Sequence, residues 1–126
     1  MSEAYKFLRR CGVYYLATVD GGKPAVRPMG AVMEHEGELY FSTGNGKEMY
    51  SQIIANPAIQ IVGVRPGTRS WIRIDGKAIE VSDVNMKQAM LDACPVLIKH
   101  FGNKDCNFFA LFKVDEMDAV IHEPAK

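Results

Sequence analysis

Pro24-Ala25-Val26-Arg27-Pro28-Met29, followed closely by Leu39-Tyr40-Phe41-Ser42-Thr43-Gly44-Asn45-Gly46-Lys47, sets one cation inside an apolar strand and a second in a small-residue loop that opens a helix. Side chains alternate along a strand, so a strand from Pro24 to Met33 puts Arg27 on one face with Ala25, Met29, Ala31 and Met33. A guanidinium on such a face calls for an anion. Thr43 to Gly46 permit a tight turn, and Lys47 begins a segment with apolar residues at Met49, Tyr50, Ile53 and Ile54, the spacing of a helix that Asn56-Pro57 stops. A helix start exposes unpaired N–H groups and a partial positive charge, which together hold phosphate. From the residues alone three simpler readings stay open: Thr43 as an N-cap only, Lys47 as a solvated side chain, and Arg27 as the partner of a carboxylate in its own fold. Taken together, the residues favour a site for a phosphorylated ligand.

The common nucleotide loops do not account for this stretch. A P-loop ending at Gly46-Lys47 needs glycine where Phe41 stands, and a GxGxxG run from Gly44 has Met49 at its third glycine position.

Outward from this stretch the chain reads as a meander of strands with a few helices. Tyr5, Phe7, Leu8 and Cys11 predict a short N-terminal helix ended by Gly12. Tyr14 to Val19 predicts a strand, Asp20-Gly21-Gly22-Lys23 a hairpin turn, Glu36-Gly37 another turn, and Leu39 to Thr43 a third strand. Ala58 to Val64 and Trp71 to Val81 predict two more, joined through Pro66-Gly67. Ser82 and Asp83 cap a helix whose stripe is Met86, Met90, Leu91, Cys94 and Leu97, and Pro95 kinks or divides it. Phe108 to Val114 and Ala119 to His122 supply closing strands. The expected class is mainly β with α, an antiparallel barrel that hides most sheet edges, in a single domain over 1–126.

In the order and spacing of Gly22-Lys23-Pro24-Ala25-Val26-Arg27-Pro28, Phe41-Ser42-Thr43-Gly44, Lys47, Asn56-Pro57 and Trp71-Ile72-Arg73-Ile74-Asp75-Gly76-Lys77-Ala78, the chain resembles the flavin-binding split-barrel proteins related to pyridoxamine 5′-phosphate oxidase. The likeness runs from about Tyr14 to Val120 and is closest to their short branch, which includes proteins similar to nitroimidazole-resistance reductases. It implies an antiparallel split β-barrel and a homodimer with FMN at each of two sites between subunits. Carried over by position, Arg27 and Lys47 meet the FMN phosphate and Ser42 and Thr43 bond phosphate or ribityl oxygens. Val26, Arg27, Pro28 and Met29 lay their backbone along the isoalloxazine edge, and Trp71 or its neighbours reach across from the partner. Two departures stand out. The oxidase usually has Gln at the position of Trp71, and its C-terminal extension carries an Arg-x-His pair, whereas Val120 stands two residues before His122 and the sequence given stops at Lys126. Oxidation of pyridoxamine phosphate is therefore not expected.

Composition narrows the remaining classes. Fifteen basic and fifteen acidic residues cancel, and no basic stripe suits nucleic acid. No run approaches ~18 apolar residues, and the N-terminus lacks a signal pattern, so a cytoplasmic protein without membrane contact is expected. Cys11, Cys94 and Cys106 lack metal or dithiol spacing and read as reduced thiols, mostly buried. His35, His100 and His122 are scattered, His35 in an exposed turn and His100 at a helix end, and no metal site is expected. No obligatory acid or base stands out, so the catalytic residues stay unassigned. The expected function is an FMN oxidoreductase passing electrons from a reduced nicotinamide to a small electrophile. The alternatives are a non-catalytic flavin carrier and a relative that binds deazaflavin or haem.

Overall fold

Gly21 and Gly22 form a two-residue turn between β1 (Tyr14–Asp20) and β2 (Lys23–Met29), with Gly21 at a φ of 62° that few other residues tolerate. The computed structural model describes residues 1–124; Ala125 and Lys126 of the expected 1–126 domain lie outside the described residues. This short turn fixes the pairing that matters most: Leu16 opposes Arg27 and Thr18 opposes Ala25.

Helix α1 (Glu3–Cys11) precedes the hairpin, capped by the Ser2 side chain on the Tyr5 N–H and ended by Gly12 at a φ of 75°. After the hairpin come β3 (Met33–His35), β4 (Glu38–Gly44), α2 (Glu48–Ala55), β5 (Ala58–Val64) and β6 (Trp71–Val81). They are followed by α3 (Val84–Ala93), a 3-10 turn at Pro95–Leu97, α4 (Ile98–Phe101) and β7 (Phe109–His122). Asp83 caps α3 through the Asn85 N–H, and the expected division at Pro95 is present.

The seven strands form one antiparallel sheet in the order β2-β1-β5-β6-β7-β4-β3. The expected split-barrel class holds, but the sheet is not closed: β2 and β3, neighbours in sequence, are its two edges. The single strand expected over Pro24 to Met33 is broken at Gly30-Ala31-Val32. Two distant groups hold that break, since the Tyr14 hydroxyl donates to the Ala31 carbonyl at 2.6 Å and the Cys94 thiol to the Val32 carbonyl at 3.3 Å. Met29 and Met33 consequently pack into different clusters.

The closing strands also differ from expectation, because β7 runs unbroken through Asp115-Glu116. The long β6 pairs with it on both sides of an irregularity at Asp75/Lys77. Gly76 is required there, as a Cβ would lie 2.7 Å from the Val114 side chain and 3.0 Å from the Asp115 carbonyl oxygen.

The sheet has a main core on one face and a smaller one elsewhere. Leu16, Phe41, Ile61, Ile74 and Phe112 join Phe7 and Leu8 of α1 and Met49 and Ile53 of α2. Met33, Tyr40 and Leu111 pack instead with Met90, Leu91 and Leu97. Along β4 this alternation sends Leu39 and Phe41 to the first cluster and Tyr40 to the second. Cys11 and Cys94 are buried and Cys106 half-buried, all as free thiols, and His35 is exposed. Among the described residues no helix is long and apolar enough to cross a membrane.

Candidate cofactor site

Arg27 lies on the core side of the edge strand β2, in register with Leu16 and, through it, with Ile61 and Ile74. Beyond the core this face is roofed by α2 and leaves a cavity of about 720 Å³, within the roughly 300–1,000 Å³ of small-ligand pockets. Its lining includes Ala25 to Met29 of β2, Thr43 of β4, and Lys47, Glu48 and Gln52 at the start of α2 and one turn into it.

The guanidinium is half-buried and fixed. Arg27 Nη1 donates to the Leu16 carbonyl at 3.0 Å and to Thr18 Oγ1 at 2.9 Å, and Nη2 donates to Gln52 Oε1 at 2.9 Å. Thr18 Oγ1 in turn donates to Gln52 Oε1 at 2.6 Å. All three acceptors are neutral, and among the described residues no carboxylate forms an ion pair with Arg27. The reading in which Arg27 pairs with a carboxylate of its own fold is thereby replaced: its buried N–H groups are satisfied without cancelling the charge. Burial pushes the guanidinium below its ordinary pKa, and the Glu48 carboxylate opposes that shift.

Lys47 is the N-cap of α2 and not its first helical residue; it is exposed and supplies no side-chain cap. Thr43 is not the cap either, because it still belongs to β4. The first N–H groups of α2 therefore have no side-chain acceptor at the cap. Glu48 brings a negative charge to the same rim, which favours the helix dipole and opposes an incoming anion. Among the described residues strand β2 pairs only with β1, so one side of its backbone carries groups unpaired in the sheet, with Pro24 and Pro28 contributing no N–H.

The expected site residues separate into three groups. Val26, Arg27, Pro28, Met29, Thr43 and Lys47 line the one cavity. Ser42 points to the other side of β4, into a cavity of about 340 Å³ lined also by Leu97, His100, Phe101 and Phe108, with Thr43 and Lys47 on the shared wall. Its buried hydroxyl finds no hydrogen-bond partner among the described residues. Trp71 lines neither cavity. Its indole stacks on the His122 ring at 4.1 Å, with the Arg73 guanidinium 4.9 Å from its centroid.

Thr18 and Gln52 complete the site although neither belongs to the motifs that mark it in the sequence. Thr18, 3 % exposed, is a polar residue at an inward position of β1, and the Gly21-Gly22 turn sets it diagonal to Arg27. Gln52 follows Glu48 by one helical turn, on the face that looks into the cavity.

The family model described as pyridoxamine 5′-phosphate oxidase matches residues 1–107. The chain is similar to a NimC/NimA family protein from Clostridium acetobutylicum, with 38% identity over 95% of this chain and 85% of that one and a TM-score of 0.90. It has the fold of a pyridoxamine 5′-phosphate oxidase candidate from Listeria innocua, at 20% identity over 97% of both chains and a TM-score of 0.79. The same fold occurs in an F420 reductase, at 19% identity over 95% of this chain and 98% of that one with a TM-score of 0.70. It occurs also in HutZ, a haem storage protein from Vibrio cholerae, at 18% identity over 94% and 92% with a TM-score of 0.67. No curated protein sequence matches the chain. The match over residues 1–107, supported by the NimC/NimA relative, places the chain in the pyridoxamine 5′-phosphate oxidase-related family of split-barrel proteins.

Proposed function

We propose that the protein binds FMN and acts as an oxidoreductase between a reduced nicotinamide and a small electrophilic acceptor. The observation that carries the reading is Arg27, held in a ligand-sized cavity by neutral acceptors only, beside Lys47 and the start of α2. A phosphate monoester fits that donor set: a charged fork, an exposed ammonium and backbone N–H groups. The unpaired side of β2 fits the heteroatom edge of a flavin ring, with Val26 to Met29 alongside. Thr43 can donate to a phosphate or ribityl oxygen.

FMN supplies the two-electron chemistry when bound, and the chain contributes grip, orientation and charge. Arg27 and Lys47 fix the phosphate end, which sets where the ring lies along β2. The site is proposed to be completed by a second copy of the chain. The outer face of the sheet, opposite Arg27, exposes Tyr15, Val64 and Val120, and Val64 opposes the half-buried Trp71 in register. An apolar face of this kind suits a twofold contact in which one patch serves both subunits and Trp71 reaches the partner's flavin.

The test is the absorption spectrum of the purified protein, followed by anaerobic mixing with NADH or NADPH. Flavin bands that bleach with either donor and recover on adding a nitroaromatic support the oxidoreductase. Flavin bands that neither donor bleaches favour a carrier, whereas a Soret band or a deazaflavin spectrum replaces FMN altogether.

A further inference from the structure

The hydrogen bonds around Arg27 form a closed ring in which every acceptor is uncharged. Arg27 donates to Thr18 and Gln52, and Thr18 donates to Gln52, so the Gln52 amide oxygen takes two bonds, at 2.6 and 2.9 Å. Together with the Leu16 carbonyl these bonds use three of the five guanidinium N–H groups and leave two without a hydrogen-bond partner among the described residues. Glutamate is nearly isosteric with glutamine and could make the same two contacts, yet it would cancel the charge. The one acidic residue beside Arg27 that perturbs it, Glu48, is not hydrogen-bonded to it.

We propose that Gln52, supported by Thr18, is a positioning and specificity residue: it immobilises Arg27 through a neutral acceptor, so that the cavity selects phosphate-terminated flavin over the unphosphorylated form. The inference rests on the reading of Arg27 as a phosphate ligand and adds the device that keeps its charge available. A rigid cation loses little freedom on binding, and an uncancelled one favours a dianion over a neutral hydroxyl.

The test compares FMN with riboflavin in titrations of the flavin-stripped full chain, for wild type, Gln52→Glu, Gln52→Met and Arg27→Ala, with melting temperatures recorded. Wild type is expected to prefer FMN. Gln52→Glu should cut FMN affinity by about tenfold or more, with riboflavin affinity held within about threefold and little change in melting temperature. Gln52→Met keeps the charge but frees the guanidinium, and should lower the FMN preference by about three- to tenfold. If Arg27→Ala abolishes the preference while both Gln52 variants retain the wild-type ratio, the specificity role is overturned and the phosphate reading stands. If Arg27→Ala also retains that ratio, or wild type shows no preference, the phosphate reading falls and the inference with it. Equal loss of both flavins in the Gln52 variants would mark a merely structural residue and overturn the proposal. Should Gln52→Glu fail to fold, the ratio for Gln52→Met decides alone.

Discussion

Arg27 and Arg73 sit on opposite faces of the same antiparallel sheet and are satisfied in opposite ways. Arg27, on the core face of β2, is locked by a carbonyl, a hydroxyl and an amide, with its charge uncancelled. Arg73, on the outer face of β6, is exposed and lies over the Trp71 indole, which is backed by His122. The first arrangement is organised before any ligand arrives. The second spreads its charge over a half-buried aromatic on a surface that also carries exposed Val64 and Val120. One chain therefore holds an uncancelled charge in place by itself, and leaves Trp71 half-buried on its outer face.

The sharpest way to break this contrast is to remove each cation in turn. Arg27→Ala is expected to weaken FMN binding by roughly 2–5 kcal/mol, because a phosphate held away from water loses its charge-assisted fork. Titration of the flavin-free protein measures it, and an unchanged affinity would make Arg27 a purely structural residue. Arg73→Ala, lacking such a desolvated anion, should cost about 1 kcal/mol or less.

Trp71→Ala tests the other face. If the outer surface is a twofold contact, loss of the indole should weaken self-association and flavin binding together, by about 1–3 kcal/mol each. Sedimentation at several protein concentrations, with flavin absorbance recorded along the cell, reads both at once. A monomer that keeps tightly bound FMN would remove the shared site.

Lys47→Ala comes next, at roughly 1–2 kcal/mol, since Arg27 and the start of α2 remain. Lys47 is exposed, so this contribution should shrink between low and high salt much faster than that of Arg27. Equal salt dependence for the two variants would mean that Arg27 is no better shielded than Lys47.

Much of the Arg27 region is legible in the sequence, and the reasons are local. The Gly21-Gly22 turn fixes the hairpin register, and from that register Leu16 and Thr18 fall beside Arg27. Helical spacing after Lys47 places α2, and Asn56-Pro57 ends it. What is not legible depends on distant partners. The break at Gly30-Ala31-Val32 is held by Tyr14 and Cys94, the second lying 62 residues away from Val32. The continuity of β7 depends on β6 supplying a partner ladder across an apparent turn at Asp115-Glu116. The surroundings of Trp71 come from the far end of that ladder, where His122 opposes it.

Ser42 shows the same limit at one residue, and it carries the smallest expected effect. Sequence adjacency puts Ser42 and Thr43 together around one phosphate, but alternation along β4 sends them to opposite sides: Thr43 alone reaches the Arg27 cavity. Ser42→Ala is accordingly expected to change FMN affinity by less than about 0.5 kcal/mol, in contrast to the expectation for a direct phosphate ligand. Its hydroxyl is buried without a hydrogen-bond partner among the described residues, so the same substitution should leave stability unchanged or raise it by up to about 1 kcal/mol. Thr43→Val is the matched control, since it removes a hydroxyl of the same kind on the cavity side and should weaken FMN by about 1 kcal/mol. If Ser42→Ala proves the more damaging of the two, the flavin phosphate lies on the Phe101 side of β4, and the Arg27 cavity is not where the cofactor is held.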